Sequence, residues 1–306
     1  MIRDVLEELG YRLSDDGGFW RTSSDYRAGS TKTSLRINKE NGNWQDFGND
    51  SYGNLFDLIK LTLGLKDSRE SMKWLDGKYN LNEIKPSKPK MKVSKVFDRS
   101  VLSNLFPNYT HYLTHQNPIR EEVLKEFECG LATTGKLRNR ICFPIICHEN
   151  QDEILGFCGR DVTGHQIVKW KIINPKFDWQ YPRFLSEKYI EKLDEVIIVE
   201  SIGDAISLWN AGVKNVLVSF GIILTKGMIK ALLELNPKRI TIALNNEPEN
   251  GNKGLVAAEK FKTKLLKIFD DDRVTLFLPT GEDFGAMTES EVSDWNKSKE
   301  EHLKSL

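Results

Sequence analysis

The sequence is poor in the residues that cross-link a chain or hold a soft metal. It has four cysteines in 306 residues, Cys129, Cys142, Cys147 and Cys158, with no C-x-x-C pair, and residues 1–84 contain neither cysteine nor histidine. That scatter excludes a disulfide framework and suits a reducing compartment. It also denies the first block thiolate or imidazole ligation of zinc. No apolar stretch reaches the roughly 18 residues that a membrane-spanning helix needs. The opening MIRDVLEELGYRL lacks the charged-then-apolar order of a signal peptide. The expectation is a soluble, cytoplasmic protein with no membrane partner.

An excess of charge is also missing, with 44 basic and 44 acidic residues, which argues against a uniformly basic nucleic-acid binder. The balance hides a gradient. Residues 1–84 carry 12 basic and 14 acidic side chains, residues 85–192 carry 18 and 12, and residues 193–306 carry 14 and 18. A basic centre beside an acidic region suits a phosphate-handling cleft next to a metal site, although solvated surfaces show similar swings.

Periodicity divides the chain further. An amphipathic helix over Ile2–Leu9 is closed by Gly10, and strand-like pieces follow at Gly18–Arg21, Thr33–Ile37 and Asn43–Phe47. Asn54–Leu63 has helical spacing. The polar, Pro-bearing run Lys85–Lys90 reads as a linker. The blocks are therefore 1–84, a linker at 85–95, a middle block at 96–192, a block at 193–285 and a tail at 286–306. In the middle block, strands are expected at Ile141–Cys147 and Glu153–Gly159. From Val196 the pattern alternates: strand Val196–Val199, helix Gly203–Ala211, strand Asn215–Ser219, helix Lys226–Leu235, strand Arg239–Leu244, helix Gly254–Ile268 and strand Arg273–Leu278. Such alternation implies a parallel sheet with helices on both faces, whose functional groups sit at strand C-terminal ends.

Glu200 follows the first of these strands, Asp204 opens the next helix, and Arg239–Leu244 runs into Asn245-Asn246-Glu247. Acidic and amide oxygens at neighbouring strand tips form the hard oxygen cage that Mg²⁺ prefers. Glu200 and Asp204 would also serve as helix caps, and the pattern alone leaves both readings open. In the middle block, Lys169, Lys171, Lys176 and Arg183 interleave with Trp170, Phe177, Trp179, Tyr181 and Phe184. Cations among aromatic faces serve single-stranded nucleic acid, which is neutralised along its backbone and stacked through its bases. A strand pair with core aromatics and snorkelling cations explains the same stretch. Gly130 to Lys136 nearly spells a P-loop, but Leu137 stands where the Mg²⁺-binding hydroxyl belongs and a strand-like run follows, so no NTPase motor is expected.

Over residues 196–285 the text IVESIGDAISL, NAGVKNVLVSFGIILT, RITIALNNEPENGNKGLVAA and LPTGEDF resembles, in order, the Toprim domain of DnaG-type DNA primases. The resemblance matches Glu200 and Asp204 to the family's first acidic pair, puts Asn245 and Glu247 where two aspartates are usual, and matches Asp283 to a later aspartate near the metals. Ser201 stands where glycine is usual. A neutral Asn245 lowers the ligand charge on which hard-cation affinity depends. Just upstream, Arg138 to Ile145 and Gly156 to Arg160 resemble the R-x-R-x-x-F-P-I and G-F-x-G-R elements of the family's basic subdomain. The first block resembles a zinc ribbon that has lost its ligands, with Phe19, Leu35, Ile37, Trp44, Phe47, Leu55 and Phe56 as its core and Arg21, Arg27, Lys32 and Arg36 either touching DNA or solvated.

The resemblance implies an α/β protein: a Rossmann-like Toprim sheet preceded by a mixed α+β basic subdomain and a small α+β N-terminal domain. It implies a bacteriophage-type primase that makes short RNA primers from NTPs on single-stranded DNA, beside a replicative helicase, in the host cytoplasm. Glu200 and Asp204 would be catalytic. Glu200, Asn245, Glu247 and Asp283 would hold Mg²⁺ or Mn²⁺, and Lys136, Arg138, Arg140, Arg160, Lys169, Lys171 and Arg183 would contact nucleic acid or nucleotide. Metal would stabilise the attacking 3′-oxygen and the leaving pyrophosphate. Two other classes remain: a Toprim nuclease, and a non-catalytic DNA-binding or helicase-regulating protein whose site has decayed. The sequence runs about 20 residues past the match, and the helical helicase-docking domain of bacterial primases is not expected in it.

Elemental analysis of the purified protein is expected to find no stoichiometric zinc, and chelators to leave the first block folded, because residues 1–84 offer only carboxylates. Zinc lost together with folding on chelation would contradict this.

Overall fold

The computed structural model describes residues 1–27, 30–49, 51–76, 78–79, 95–247 and 252–305. The chain divides into two units, Met1–Val93 and Ser94–Leu306. The expected linker lies outside the described residues except for Lys95. Among the described residues no helix is long and apolar enough to cross a membrane.

The first unit begins with α1 (Ile2–Glu8). An antiparallel meander of β1 (Ser14–Asp16), β2 (Phe19–Thr22), β3 (Leu35–Asn38), β4 (Trp44–Asp46) and β5 (Ser51–Gly53) follows, then α2 (Leu55–Leu63) and α3 (Ser68–Asp76). The Asn54 side chain accepts from the amides of Phe56 and Asp57, and Asp57 reciprocates on the Asn54 amide, which fixes where α2 starts. Val5, Leu6, Leu35, Ile37, Trp44, Leu55 and Ile59 form the core. Phe19 and Phe47, expected inside, are half-buried and lie under guanidinium groups: Arg36 sits 3.6 Å from the Phe19 ring centre and Arg21 4.8 Å from that of Phe47. Arg21 also pairs with Asp16, and Arg27 with the fully buried Asp46, which further accepts from the Tyr26 hydroxyl and the Gly48 amide. Three of the four cations proposed for DNA are thus engaged inside the unit; Lys32 is exposed.

The second unit holds two sheets. Its first part is β6 (Phe97–Asp98), β7 (Leu105–Phe106), α4 (Thr110–Leu113), α5 (Glu121–Glu126), β8 (Gly130–Ala132), β9 (Arg140–Ile146), β10 (Glu153–Asp161) and β11 (Trp170–Ile173), an antiparallel sheet in the order β11-β10-β9-β8-β7 with β6 on β10. A strand, β9, follows the near-P-loop, and no phosphate-binding helix does. Next come α6 (Arg183–Leu193), β12 (Glu195–Val199), α7 (Ile202–Asn210), β13 (Val216–Val218), α8 (Lys226–Leu235), β14 (Arg239–Ile242), α9 (Lys253–Leu265), β15 (Val274–Leu276) and α10 (Glu289–Ser305). Strands β13-β12-β14-β15 form a parallel sheet, so the chain has the α/β class expected of it.

Strand β12 is buried along its whole length because helices cover both faces. Alternation sends Val196 and Ile198 into one apolar cluster with Met228, Leu232 and Phe261, and Ile197 and Val199 into another. The second cluster also contains Ile141, Phe143 and Ile145 of β9. The middle block and the parallel sheet therefore share a core across the expected boundary at 192/193. The segment read as a tail is the 17-residue helix α10, and it is part of that core. Trp295 packs edge-on against Phe284 at 4.7 Å, and Lys299 donates to Glu195 at 2.5 Å with both side chains 1% exposed. Breaking such a pair costs on the order of 3–5 kcal/mol, because the remaining charge is left buried alone.

Candidate functional site

The C-terminal edge of the parallel sheet gathers the acidic residues. Glu200 leaves β12, and its carbonyl accepts the Gly221 amide at 3.0 Å across the turn after β13. Ser201 caps α7, its hydroxyl accepting the Asp204 amide at 3.2 Å while the Asp204 carboxylate takes the Ser201 amide at 2.9 Å. The other Asp204 oxygen accepts the Phe284 amide at 3.1 Å. Asp204 is 2% exposed, and its carboxylate ties α7 to the 283–284 loop. The helix-capping role that the pattern left open beside the catalytic one is thus formed in this structure.

Asn245 and Glu247 follow β14 and are half-buried. Gly254 makes the local path possible: a Cβ there would lie 1.7 Å from the Asn245 carbonyl oxygen, so no larger residue lets α9 start against this loop. The Asn246 amide donates to Glu282 at 2.7 Å and its side chain to Pro279 at 3.0 Å, which draws the loop carrying Asp283 alongside.

The electrostatics couple these groups to one another. Burial, then repulsion from Asp204, Glu247 and Asp283, pushes the Glu200 carboxyl up to about 7, with the Lys176 ammonium acting in the opposite sense. Burial and Asp283 push Asp204 up to about 6 against its three backbone and hydroxyl contacts. Among the described residues no three His, Cys, Asp or Glu side chains converge on one point. The donor set of Glu200, Glu247 and Asp283 is nevertheless all oxygen, and Glu200 feels the charge of the other two, which fits a hard cation that keeps several of its waters.

The expected cationic residues separate into two groups. Lys136, Arg138 and Lys169 are exposed, and Lys171 is half-buried on β11 opposite Gly159. Arg160 pairs in register with Trp170, and its guanidinium lies 5.5 Å from the ring centre. His111 is close enough that Arg160, after burial, lowers its proton affinity. Arg140 and Arg183 are corrections. Arg140 is buried and donates to the carbonyls of Gly159, Val168 and Lys169. Arg183 is buried at the start of α6 and engages Gln180, Glu187 and Glu234. Guanidinium groups committed in this way lock strands and helices together and are not presented to a phosphate.

Lys176 is a further residue at this edge, outside the set expected from the sequence. It is buried, and its Nζ donates to the Phe220 carbonyl at 2.6 Å. Its position just past an Asn-Pro pair, in the run between β11 and α6, was the available signal.

Residues 197–287 match a family model described as Toprim-like. The chain is 28% identical over 203 residues to a DNA primase of Pseudomonas aeruginosa, a stretch covering 61% of this chain and 29% of that one. It is 29% identical over 168 residues to a DNA primase of Staphylococcus aureus, covering 53% and 26%. The matched stretch thus spans less than a third of these curated relatives. Among solved structures, a DnaG primase catalytic domain bound to ssDNA superposes with a TM-score of 0.52 at 17% identity, over 66% of this chain and 76% of that one. An E. coli primase catalytic core gives 0.50 at 19%, over 60% and 69%. At these identities the structural likeness is one of fold.

Both raised carboxyls make stability fall with rising pH. Glu200 takes up its proton near pH 7 when folded and near its ordinary 4.5 when unfolded, so the native state binds more protons in that window and loses stability as pH climbs through it. In chelator, Glu200→Gln should flatten the decline of the melting temperature between about pH 5 and 7 and melt higher than the parent at pH 8. Equal slopes in thermal unfolding of the two proteins would contradict the crowding of these carboxylates.

Proposed function

We propose that this protein is a primase: it synthesises short RNA primers on single-stranded DNA from nucleoside triphosphates. The observation that carries the reading is the shared core. One apolar cluster joins β9 of the basic block to β12 and α7 of the Toprim-like sheet, so an acidic strand edge and a cation-bearing antiparallel sheet belong to a single unit. The similarity to DNA primases over 61% of the chain, and the Toprim-like match over residues 197–287, support it.

Glu200, Glu247 and Asp283 would hold Mg²⁺ or Mn²⁺, with the Asn245 amide as a neutral oxygen beside them. Bound there, a divalent cation supplies charge stabilisation for the attacking 3′-oxygen and the departing pyrophosphate. The chain's own groups do the rest. Asp204 keeps α7 and the 283–284 loop in register. Arg160 and Trp170 offer a cation and an aromatic face to a stacked base, worth on the order of 1–3 kcal/mol. Lys136, Arg138 and Lys169 neutralise template phosphates. A bacteriophage setting in the host cytoplasm, with a replicative helicase as partner, belongs to the same proposal and rests on the sequence resemblance.

A second reading has its own observation. Asn245 removes one negative ligand and Asp204 is committed to backbone amides, so a non-catalytic DNA-binding or helicase-regulating protein would also fit. Labelled-NTP incorporation on single-stranded template separates the two. The parent should incorporate with Mg²⁺ or Mn²⁺, and Glu200→Gln should lose incorporation while still binding DNA. Arg138→Ala and Arg160→Ala should weaken binding and flatten its salt dependence by about 0.7 on a log–log plot for each phosphate no longer neutralised. Tight DNA binding by a parent that incorporates nothing, with and without a helicase, would favour the second reading.

A further inference from the structure

The acidic edge of the parallel sheet holds a cation of its own. Lys176 is 8% exposed and lies in the segment between β11 and α6 that ties the two sheets of the second unit together. That segment is anchored at both ends of the crossing: the Gly227 amide donates to the Phe177 carbonyl and the Val218 amide to the Tyr181 carbonyl, each at 2.7 Å. Gly227 admits it closely, since a Cβ there would come within 2.5 Å of the Asp178 backbone. The acceptor for the lysine is equally specific. Phe220 and Gly221 have φ of +56° and +113°, a sharp turn directly after β13. The Phe220 carbonyl takes the ammonium at 2.6 Å, and the Gly221 amide holds the Glu200 carbonyl at 3.0 Å. One two-residue turn therefore carries both the lysine's acceptor and the main-chain anchor of Glu200.

The balance of charge gives this placement a consequence. Glu200 feels the negative charge of Glu247 and Asp283 and the positive charge of Lys176, Asp204 is held by backbone amides, and Asn245 is neutral. A buried ammonium costs free energy unless an opposite charge or good acceptors meet it, and here both are at hand. A fixed positive charge repels a bare divalent ion and attracts one that arrives on a triphosphate.

We propose that Lys176 is a fixed cation built into the carboxylate centre, a positioning residue that lowers its affinity for bare divalent metal and raises its affinity for metal bound to a nucleoside triphosphate. The inference rests on the assignment of Glu200, Glu247 and Asp283 as a cation site.

The test is Mn²⁺ binding by the full chain, followed through the paramagnetic resonance of the free ion, and ATP binding in saturating Mn²⁺. Lys176→Gln keeps a donor for the Phe220 carbonyl and removes the charge. It should bind Mn²⁺ roughly tenfold tighter and ATP with Mn²⁺ roughly tenfold weaker, opposite shifts that a structural role does not produce. Lys176→Arg should track the parent, and Glu200→Gln should lose the Mn²⁺ that belongs to this centre. Lys176→Met gives the same comparison if the glutamine variant does not fold. Mn²⁺ affinity equal to or below the parental value in a folded neutral variant overturns the inference, and so does failure of both neutral variants to fold, which makes the lysine structural. A parent whose Mn²⁺ binding is indifferent to Glu200→Gln overturns the metal assignment itself, an outcome read without any lysine variant.

Discussion

Like charges held together at the end of a parallel sheet are the constraint around which the second unit is built. Glu200, Asp204, Glu247 and Asp283 come from the tips of β12 and β14, the start of α7 and the loop before α10, and burial makes their repulsion felt. Such an arrangement persists only where other interactions enforce it. Backbone amides of Ser201 and Phe284 hold Asp204, the Gly221 amide anchors Glu200, and Gly254 lets the Asn245 loop close on α9. The remaining mismatch of charge is the physical reason to expect a cation there.

The enforcement comes from the apolar core. Ile197 and Val199 of β12 share a cluster with Phe143 and Ile145 of β9 and with Trp295 of α10, so moving any of these layers would disturb the carboxylate edge. At the opposite end of β12, the buried pair of Glu195 and Lys299 fixes α10 with a charge that cannot be left alone. The segment between β11 and α6 completes the frame by pairing Tyr181 with Val218 and setting Lys176 beside the turn after β13. Arg140 and Arg183 belong to this frame as well, since their guanidinium groups stitch backbone and helices from inside.

Much of this was legible in the sequence, and unevenly so. The elements from β12 to β15 follow from apolar runs of strand length alternating with helical spacing, because a doubly covered sheet leaves no polar face to blur the signal. Glu200 at a strand tip followed from the same pattern. The helix at Glu289–Ser305 did not, because its mean polarity hides the few positions, Val292, Trp295 and Lys299, that are buried. A linear reading also cannot separate an arginine that faces solvent from one that faces carbonyls: Arg138 and Arg140 are two residues apart and have opposite environments. Asp204 was ambiguous for a related reason, since the capping box and the acidic site use the same carboxylate. In the first unit, Arg21 and Arg36 sit over Phe47 and Phe19, pairings made by the folded meander and invisible to composition.

The carboxylates at the C-terminal edge of the parallel sheet are proposed to form a divalent-cation site. Crystals of the full chain grown with Mn²⁺, with diffraction recorded at the manganese absorption edge, test it most directly. An anomalous peak is expected within coordination distance of the Glu200, Glu247 and Asp283 carboxylates. Ordered carboxylates with no peak between them, at Mn²⁺ concentrations that occupy other sites on the protein, would contradict it.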